Sequence, residues 1–333
     1  MMRILAFGDN LITPAMLRAG LQAFVEHGDT VEIRDWSHAS VEDLQRDNIK
    51  VEQEGANAVA IDDASLLDGI EDFDMVITQF TPIGRAVIER ARQLKYIGVL
   101  RGGTENVDHA AAKEHGVEIL PTPGRNARAV AEFTVGMILA ETRNIARTSS
   151  KMHQDIWYKD FPNKENIIEL GGKTIGILGF GHIGQLVAKF LAAFDARILF
   201  YDPYVAESDL AQKVDTIEAL VKASDIVTLH MRATEETHHI INREIFAQMD
   251  ENTYFINTAR SALVDEKALV EALQKGKLAG AALDTFDKEP LPEDSPFLAL
   301  ENVTLTSHLA GSTADAFRNT PKLFAERFFA RKG

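Results

Sequence analysis

The sequence predicts an α/β protein with two doubly wound parallel sheets. Three observations carry this. Short apolar, β-branched runs alternate with helical patterns along the whole chain, as parallel strands with helical crossovers require. The 333 residues suffice for about two domains with cores of their own. A strand–turn–helix–strand unit with the pattern G-x-G-x-x-G occupies Lys173 to Asp202.

Arg3 to Phe7 reads as the first strand, and Thr13 then caps a helix with Pro14 at its first position. Val31 to Arg34, Met75 to Thr78 and Tyr96 to Leu100 read as further strands, with a helical pattern from Ile83 to Leu94. Pro121 to Arg128 (PTPGRNAR) is the clearest break of the first half. One long helix is expected from about Ala129 to Thr148. Its apolar residues lie on more than one side, which suits a helix buried in one core or shared with a partner subunit. A polar stretch, Lys159 to Glu169, leads into the glycine unit. Beyond it, Ile226 to His230, Thr253 to Asn257, Ala279 to Leu283 and Val303 to Thr306 read as strands. Asp265 to Lys275 reads as a helix with acidic residues early and lysine late, matching the helix dipole. Thr313 to Arg331 is a terminal helix rich in Phe.

The glycine unit is the most specific signal. Thr174 to Leu178 is a buried strand, and Ile183, Val187, Phe190, Leu191 and Phe194 recur at helical spacing. Gly179 allows a tight turn, Gly181 lets backbone approach a pyrophosphate, and Gly184 lets helix and strand pack closely. The free N–H groups and positive end of the helix then face the phosphates. Asp202 closes the next strand at the position of a carboxylate that accepts from a ribose diol. It would repel a 2′-phosphate, so NAD is favoured over NADP.

Composition narrows the rest. Hydrophobic residues make up 45% and charged residues 26%, as in ordinary globular chains, and the formal net charge is −15. That balance argues against nucleic acid or an anionic membrane as partner. With no cysteine, disulfides, zinc–thiolate sites and thiol nucleophiles are excluded, and no metal is expected. The N-terminal apolar run is too short for a signal peptide and no segment reads as a membrane span, so a cytoplasmic protein is expected.

Ligands of doubly wound sheets bind outside the carboxyl ends of the strands. Thr258, Ala259 and Arg260 follow one strand end; Asp284 follows the next, then a loop with Glu289; Ser307 and His308 follow the last. A nicotinamide enzyme for 2-hydroxy acids needs such a set. Arg260 can grip a carboxylate with two N–H groups, and His308 can move the hydroxyl proton. Glu289 can favour the charged imidazole and orient it.

In chain order, GFGHIG, YDPY, INTARSALVDE, ALDTFDKEPLP and SHLAGST resemble the motifs of the D-isomer-specific 2-hydroxy-acid dehydrogenases. RGGTENVDHAAAKEHGV and AVAEFTVGMILAETRNI extend the resemblance over essentially the whole chain. It implies hydride transfer between NAD and a D-2-hydroxy acid or 2-keto acid, with Arg260, Glu289 and His308 at the catalytic positions. It gives the pyrophosphate to the backbone of His182 and Ile183 and the ribose to Asp202. Thr258, Asp284, Gly311 and Ser312 would lie near the nicotinamide, with His230 and Ala259 also along the cofactor. The turn Arg101-Gly102-Gly103-Thr104 would meet the substrate carboxylate through backbone N–H groups, together with Arg260. Two Rossmann-like domains are implied: an NAD-binding domain, 121–309, inserted into a substrate-binding domain of 1–120 and 310–333. A homodimer is implied as well.

Arg101 is larger and more basic than the small apolar residue expected at that turn. Either it faces solvent or an acidic neighbour, or it meets a second anionic or polyhydroxylated end of the substrate. Ser261 stands where glycine is usual, Ser307 where proline is usual before His308, and Arg232 where proline is usual after the strand ending at His230. These departures favour a polar or anionic substrate over glyoxylate or pyruvate. Trp157, Tyr158 and Lys159 belong either to a core or to a contact with the partner subunit's active site. Phosphoglycerate dehydrogenase shares the triad and is the alternative enzyme; an NAD-sensing, co-repressor-like scaffold is the alternative of another class. Control through an appended C-terminal domain is not expected.

Overall fold

The computed structural model describes residues 1–331. Lys332 and Gly333, read above as part of the first domain, lie outside the described residues. The chain divides into two compact units, Met1–Arg125 with the segment from Thr313, and Asn126–Ser312. The crossings thus fall after Arg125 and Ser312 rather than after Leu120 and Leu309.

In the first unit, β1 (Arg3–Gly8), β2 (Thr30–Asp35), β3 (Met75–Thr78), β4 (Tyr96–Val99) and β5 (Glu118–Pro121) form one sheet in the order β2-β1-β3-β4-β5. Every pairing is parallel. Side chains alternate between two cores: Leu5, Phe7, Val76, Ile97 and Val99 face one, and Ile4, Ala6, Met75 and Ile77 the other. The helix Pro14–Gly20 starts as expected, with Thr13 Oγ1 accepting from Met16 N–H at 3.4 Å. The terminal helix Ala314–Ala330 brings Phe324 and Phe328 onto the second core. Gly98 in β4 makes room for it, since a Cβ there would run into the Phe324 ring. β5 was not read from the sequence: it is four residues long and ends in proline, a residue tolerated at a sheet edge.

In the second unit, β6 (Thr174–Leu178), β7 (Arg197–Tyr201), β8 (Gln212–Lys213), β9 (Ile226–Leu229), β10 (Tyr254–Asn257), β11 (Gly280–Leu283) and β12 (Val303–Leu305) form a second parallel sheet. The order β12-β11-β10-β9-β6-β7-β8 reverses between β6 and β9. One face packs Leu178, Val227, Leu229, Phe255 and Leu283; the other packs Ile175, Ile177, Ile226, Tyr254 and Ile256. The expected long helix is two helices, Ala127–Thr142 and Ile145–Met152. Asn144 breaks it with φ 55°, a left-handed conformation that asparagine tolerates. Its side chain is held by Asn163 Oδ1, which accepts from Nδ2 at 2.8 Å.

Candidate active site

Gly179 follows β6 with φ +90°, and a Cβ there would come within 2.7 Å of the His230 backbone. Gly184 sits over the Gly179 carbonyl so closely that a Cβ would collide with it. Gly181 faces open space, with nothing within 4 Å of where its Cβ would be. The helix His182–Ala192 begins there with no side chain of the described residues capping it. The first glycine makes the turn, the third permits the packing, and the middle one keeps an uncapped helix N-terminus clear. His182 is exposed and Ile183 half-buried at that end.

Asp202 follows β7 and is nearly buried. Its Oδ2 accepts from Phe180 N–H at 2.7 Å, and its Oδ1 from Tyr204 and Val205 N–H at 2.8 and 3.0 Å. The carboxylate therefore ties the glycine turn to the strand beside it. His230, after β9, shares a 3.0 Å hydrogen bond between Nε2 and Thr228 Oγ1. Burial pushes its imidazole down to about 3, so the ring is neutral at pH 7.

The β10 end is built by Asn257. Its Oδ1 accepts from Ala259 N–H at 3.0 Å and its Nδ2 donates to the Arg260 carbonyl at 2.9 Å. This side-chain turn holds Arg260 in extended backbone and leaves its side chain exposed, with Nη1 donating to the Ala259 carbonyl at 2.6 Å. Thr258 is buried, its Oγ1 2.7 Å from that of Thr134. Thr134 donates to the Val130 carbonyl, so the hydrogen between the two hydroxyls comes from Thr258.

Asp284, after β11, is fully buried. Its Oδ1 accepts from Thr306 Oγ1 at 2.6 Å and Leu309 N–H at 2.9 Å, and its Oδ2 from Ala310 N–H at 2.9 Å. These bonds grip the chain on both sides of His308, whose own φ is 55°. Sequence reasoning placed Asp284 near the nicotinamide; in the structure its hydrogen bonds hold the histidine loop. Gly311 lies against Asn126, whose amide a Cβ would strike.

His308 Nδ1 lies 2.8 Å from Glu289 Oε2, and Glu289 Oε1 accepts from Phe286 N–H at 3.0 Å. Burial raises the Glu289 carboxyl, but the bonds from His308 and Phe286, with the charges of His308 and Arg260, outweigh it. The pKa falls below the usual glutamate value. Nε2 of His308 lies across the ring from this bond and has no hydrogen-bond partner among the described residues. Arg260, Glu289 and His308 thus belong to one electrostatic group.

Arg101, Gly102 and Gly103 lie in the first unit, after β4. The Arg101 side chain is only 10% exposed, with Nη1 2.8 Å from Glu52 and Nη2 2.8 Å from Glu105. Nη1 also donates to Asn48 Oδ1 at 3.1 Å, and the guanidinium lies 5.2 Å from the centre of the Phe80 ring. The substrate-facing role expected for Arg101 gives way to the ion-pair alternative: two carboxylates already match its charge. Gly102 and Gly103 remain available as backbone, although a Cβ on Gly103 would meet the Glu105 carboxylate. Thr134, Asn257 and Thr306 were missed. Asn257 carried a signal, an asparagine ending a strand; the contacts of Thr134 and Thr306 cross between distant segments and leave none.

A family model, the NAD binding domain of D-isomer specific 2-hydroxyacid dehydrogenases, matches residues 135–310. The chain belongs to this family. It is 41% identical over 292 residues to the D-3-phosphoglycerate dehydrogenase of Methanocaldococcus jannaschii, covering 85% of this chain and 55% of that one. It therefore spans about half the length of that relative. It is 40% identical over 262 residues to the hydroxypyruvate reductase of Thermotoga maritima, covering 78% of this chain and 84% of the relative. Among solved structures it resembles a D-lactate dehydrogenase with NAD+ from Lactobacillus jensenii, at TM-score 0.71 and 25% identity over 99% and 96% of the two chains. In this member the residues fit the cofactor: the open space at Gly181 beside an uncapped helix suits a pyrophosphate, and Asp202 ends the adjacent strand. No helix among the described residues is long and apolar enough to cross a membrane.

Proposed function

We propose that the protein interconverts a small, polar D-2-hydroxy acid and its 2-keto acid with NAD(H). Bound in the glycine cradle, NAD supplies or takes up the hydride. Arg260 grips the substrate carboxylate and polarises the carbonyl beside it. His308 gives a proton from Nε2 to the keto oxygen in reduction and takes it back in oxidation. Glu289 fixes the tautomer through Nδ1 and stabilises the imidazolium. The 2.8 Å Glu289–His308 pair on a sheet that carries the dinucleotide cradle is the observation that supports this most.

The same reading assigns Asn126–Ser312 to the cofactor and the other unit to the substrate, through the turn at Gly102 and Gly103. A polar substrate is supported by the strand ends of that unit, where Asp9 and Gln79 are buried. Asp9 Oδ2 and both Gln79 amide atoms lack a hydrogen-bond partner among the described residues. Phosphorylated substrates are favoured by the name of the first relative above and disfavoured by Arg101, which has no spare charge. We further propose a homodimer located in the cytoplasm. Ile145, Met152, Ile156 and Trp157 support the dimer: they are exposed on one short stretch of the second unit, Trp157 at 77%.

The test is oxidation of NADH, followed by absorbance, with glyoxylate, pyruvate, hydroxypyruvate and phosphohydroxypyruvate. The reading expects turnover, best with hydroxypyruvate. No turnover of any 2-keto acid overturns it, and preference for the phosphorylated acid establishes the phosphoglycerate alternative.

A further inference from the structure

The ends of β6 and β9 lie side by side where the strand order reverses, the place where doubly wound sheets bind ligands. There the glycine turn presses on the chain leaving β9: a Cβ on Gly179 would come within 2.7 Å of both the His230 backbone and Met231 N. Arg232 is the next residue. Its backbone is fixed, because its carbonyl accepts from Thr237 Oγ1 at 2.7 Å, and that hydroxyl in turn accepts from Thr234 N–H at 2.8 Å. Its side chain is exposed and has no partner among the described residues. A built turn thus displays an unpaired cation one residue beyond atoms that touch the nucleotide turn.

We infer that Arg232 is a cofactor-binding residue whose guanidinium meets the adenosine half of the dinucleotide, next to the ribose at Asp202. The inference rests on the reading of the protein as a nicotinamide enzyme. β7 and β9 flank β6, which places their axes about 10 Å apart, and an extended arginine and a ribose together span that gap. Asp202 alone would repel a 2′-phosphate, but its carboxylate already accepts three backbone N–H bonds. A guanidinium on the other side of the ribose adds an attraction for the anionic cofactor, larger for NADPH than for NADH.

Calorimetric titration of NADH and NADPH into the full chain and its R232A and R232K variants tests this without turnover. The expected result is about threefold weaker NADH binding and about tenfold weaker NADPH binding in R232A, with both losses shrinking as salt is raised. R232K should recover part of each loss. Unchanged affinity of R232A for both nucleotides overturns the assignment and leaves the dehydrogenase reading intact. Failure of the unsubstituted protein to bind NADH overturns both. Equal melting temperatures of the three proteins show that the exposed substitution has not disturbed the fold.

Discussion

Replacing Glu289 by glutamine exchanges one oxygen for nitrogen at the centre of the proposed chemistry. Native Glu289 uses both oxygens as acceptors, one for Phe286 N–H at 3.0 Å and one for His308 Nδ1 at 2.8 Å. Glutamine has a single acceptor oxygen. If that oxygen stays on Phe286, the amide NH2 faces His308 Nδ1, and an imidazolium there meets a donor. If it turns to His308, the N–H of Phe286, a buried residue, loses its acceptor. Either way the charged imidazole loses a charge-assisted hydrogen bond, worth about 1.5–3 kcal/mol when shielded from water. Here the side chains of His308 and Glu289 are 47% and 36% exposed, so the lower end applies. About 1.5 kcal/mol corresponds to a roughly tenfold fall in kcat/KM.

The assay compares E289Q, H308A and the double variant with hydroxypyruvate and NADH. Because Glu289 acts through His308, removing it after H308A should cost nothing more. An E289Q enzyme within about twofold of the unsubstituted one refutes the reasoning. So does a double variant slower than H308A by the full factor of E289Q.

Arg260→Lys keeps the charge and loses the fork, so kcat/KM should fall about 100-fold, and an activity near normal would show that the carboxylate is gripped elsewhere. Asp284→Asn keeps the shape but turns a donor toward Ala310 N–H or Leu309 N–H; chemical denaturation should show a loss of about 1–3 kcal/mol, with lower kcat as the His308 loop loosens. Glu141 is fully buried against Arg147, and burial raises its pKa from 4.5 to about 7 despite the pull of that arginine. A raised folded value means that its contribution to stability is complete below about pH 4.5 and is lost as pH rises toward 7. The urea-denaturation stability of the unsubstituted protein should therefore fall relative to that of E141Q across that window, and a difference constant with pH would contradict it.

The alternation of strands and helices and the glycine cradle were legible because each is local or periodic, and the pairing of Glu289 with His308 was legible from the strand ends they follow. Ile175 to Leu178 carries no polar side chain since both faces of its strand are covered, and Gly179, Gly181 and Gly184 carry their meaning in their spacing. What was not legible depends on contacts between distant segments. Arg101 reads as a free cation until the helix Val41–Glu54 lays Glu52 and Asn48 beside it. The long apolar helix reads as continuous because Asn144 carries no sign that its amide is claimed by Asn163. β8, two residues long and without apolar character, has no periodic signal at all.

The same contrast explains how Arg260, Glu289 and His308, the groups proposed as catalytic, come to be poised. None of the three sits in regular structure. His308 is in the left-handed region, at a cost of about 1–2 kcal/mol for a residue with a Cβ. Asp284 offsets that cost by accepting the N–H groups of the two following residues, and Thr306 fixes Asp284 from the strand end. Arg260 leaves β10 extended because Asn257 bridges its carbonyl and Ala259 N–H. Glu289 is aimed at His308 by Phe286 N–H. In each case a polar partner, not a helix or strand, sets the direction of the working side chain. It follows that substituting Asn257 or Asp284 should disturb catalysis although neither needs to touch the substrate, and that grafting Arg260, Glu289 and His308 alone onto a similar sheet would not reproduce the site.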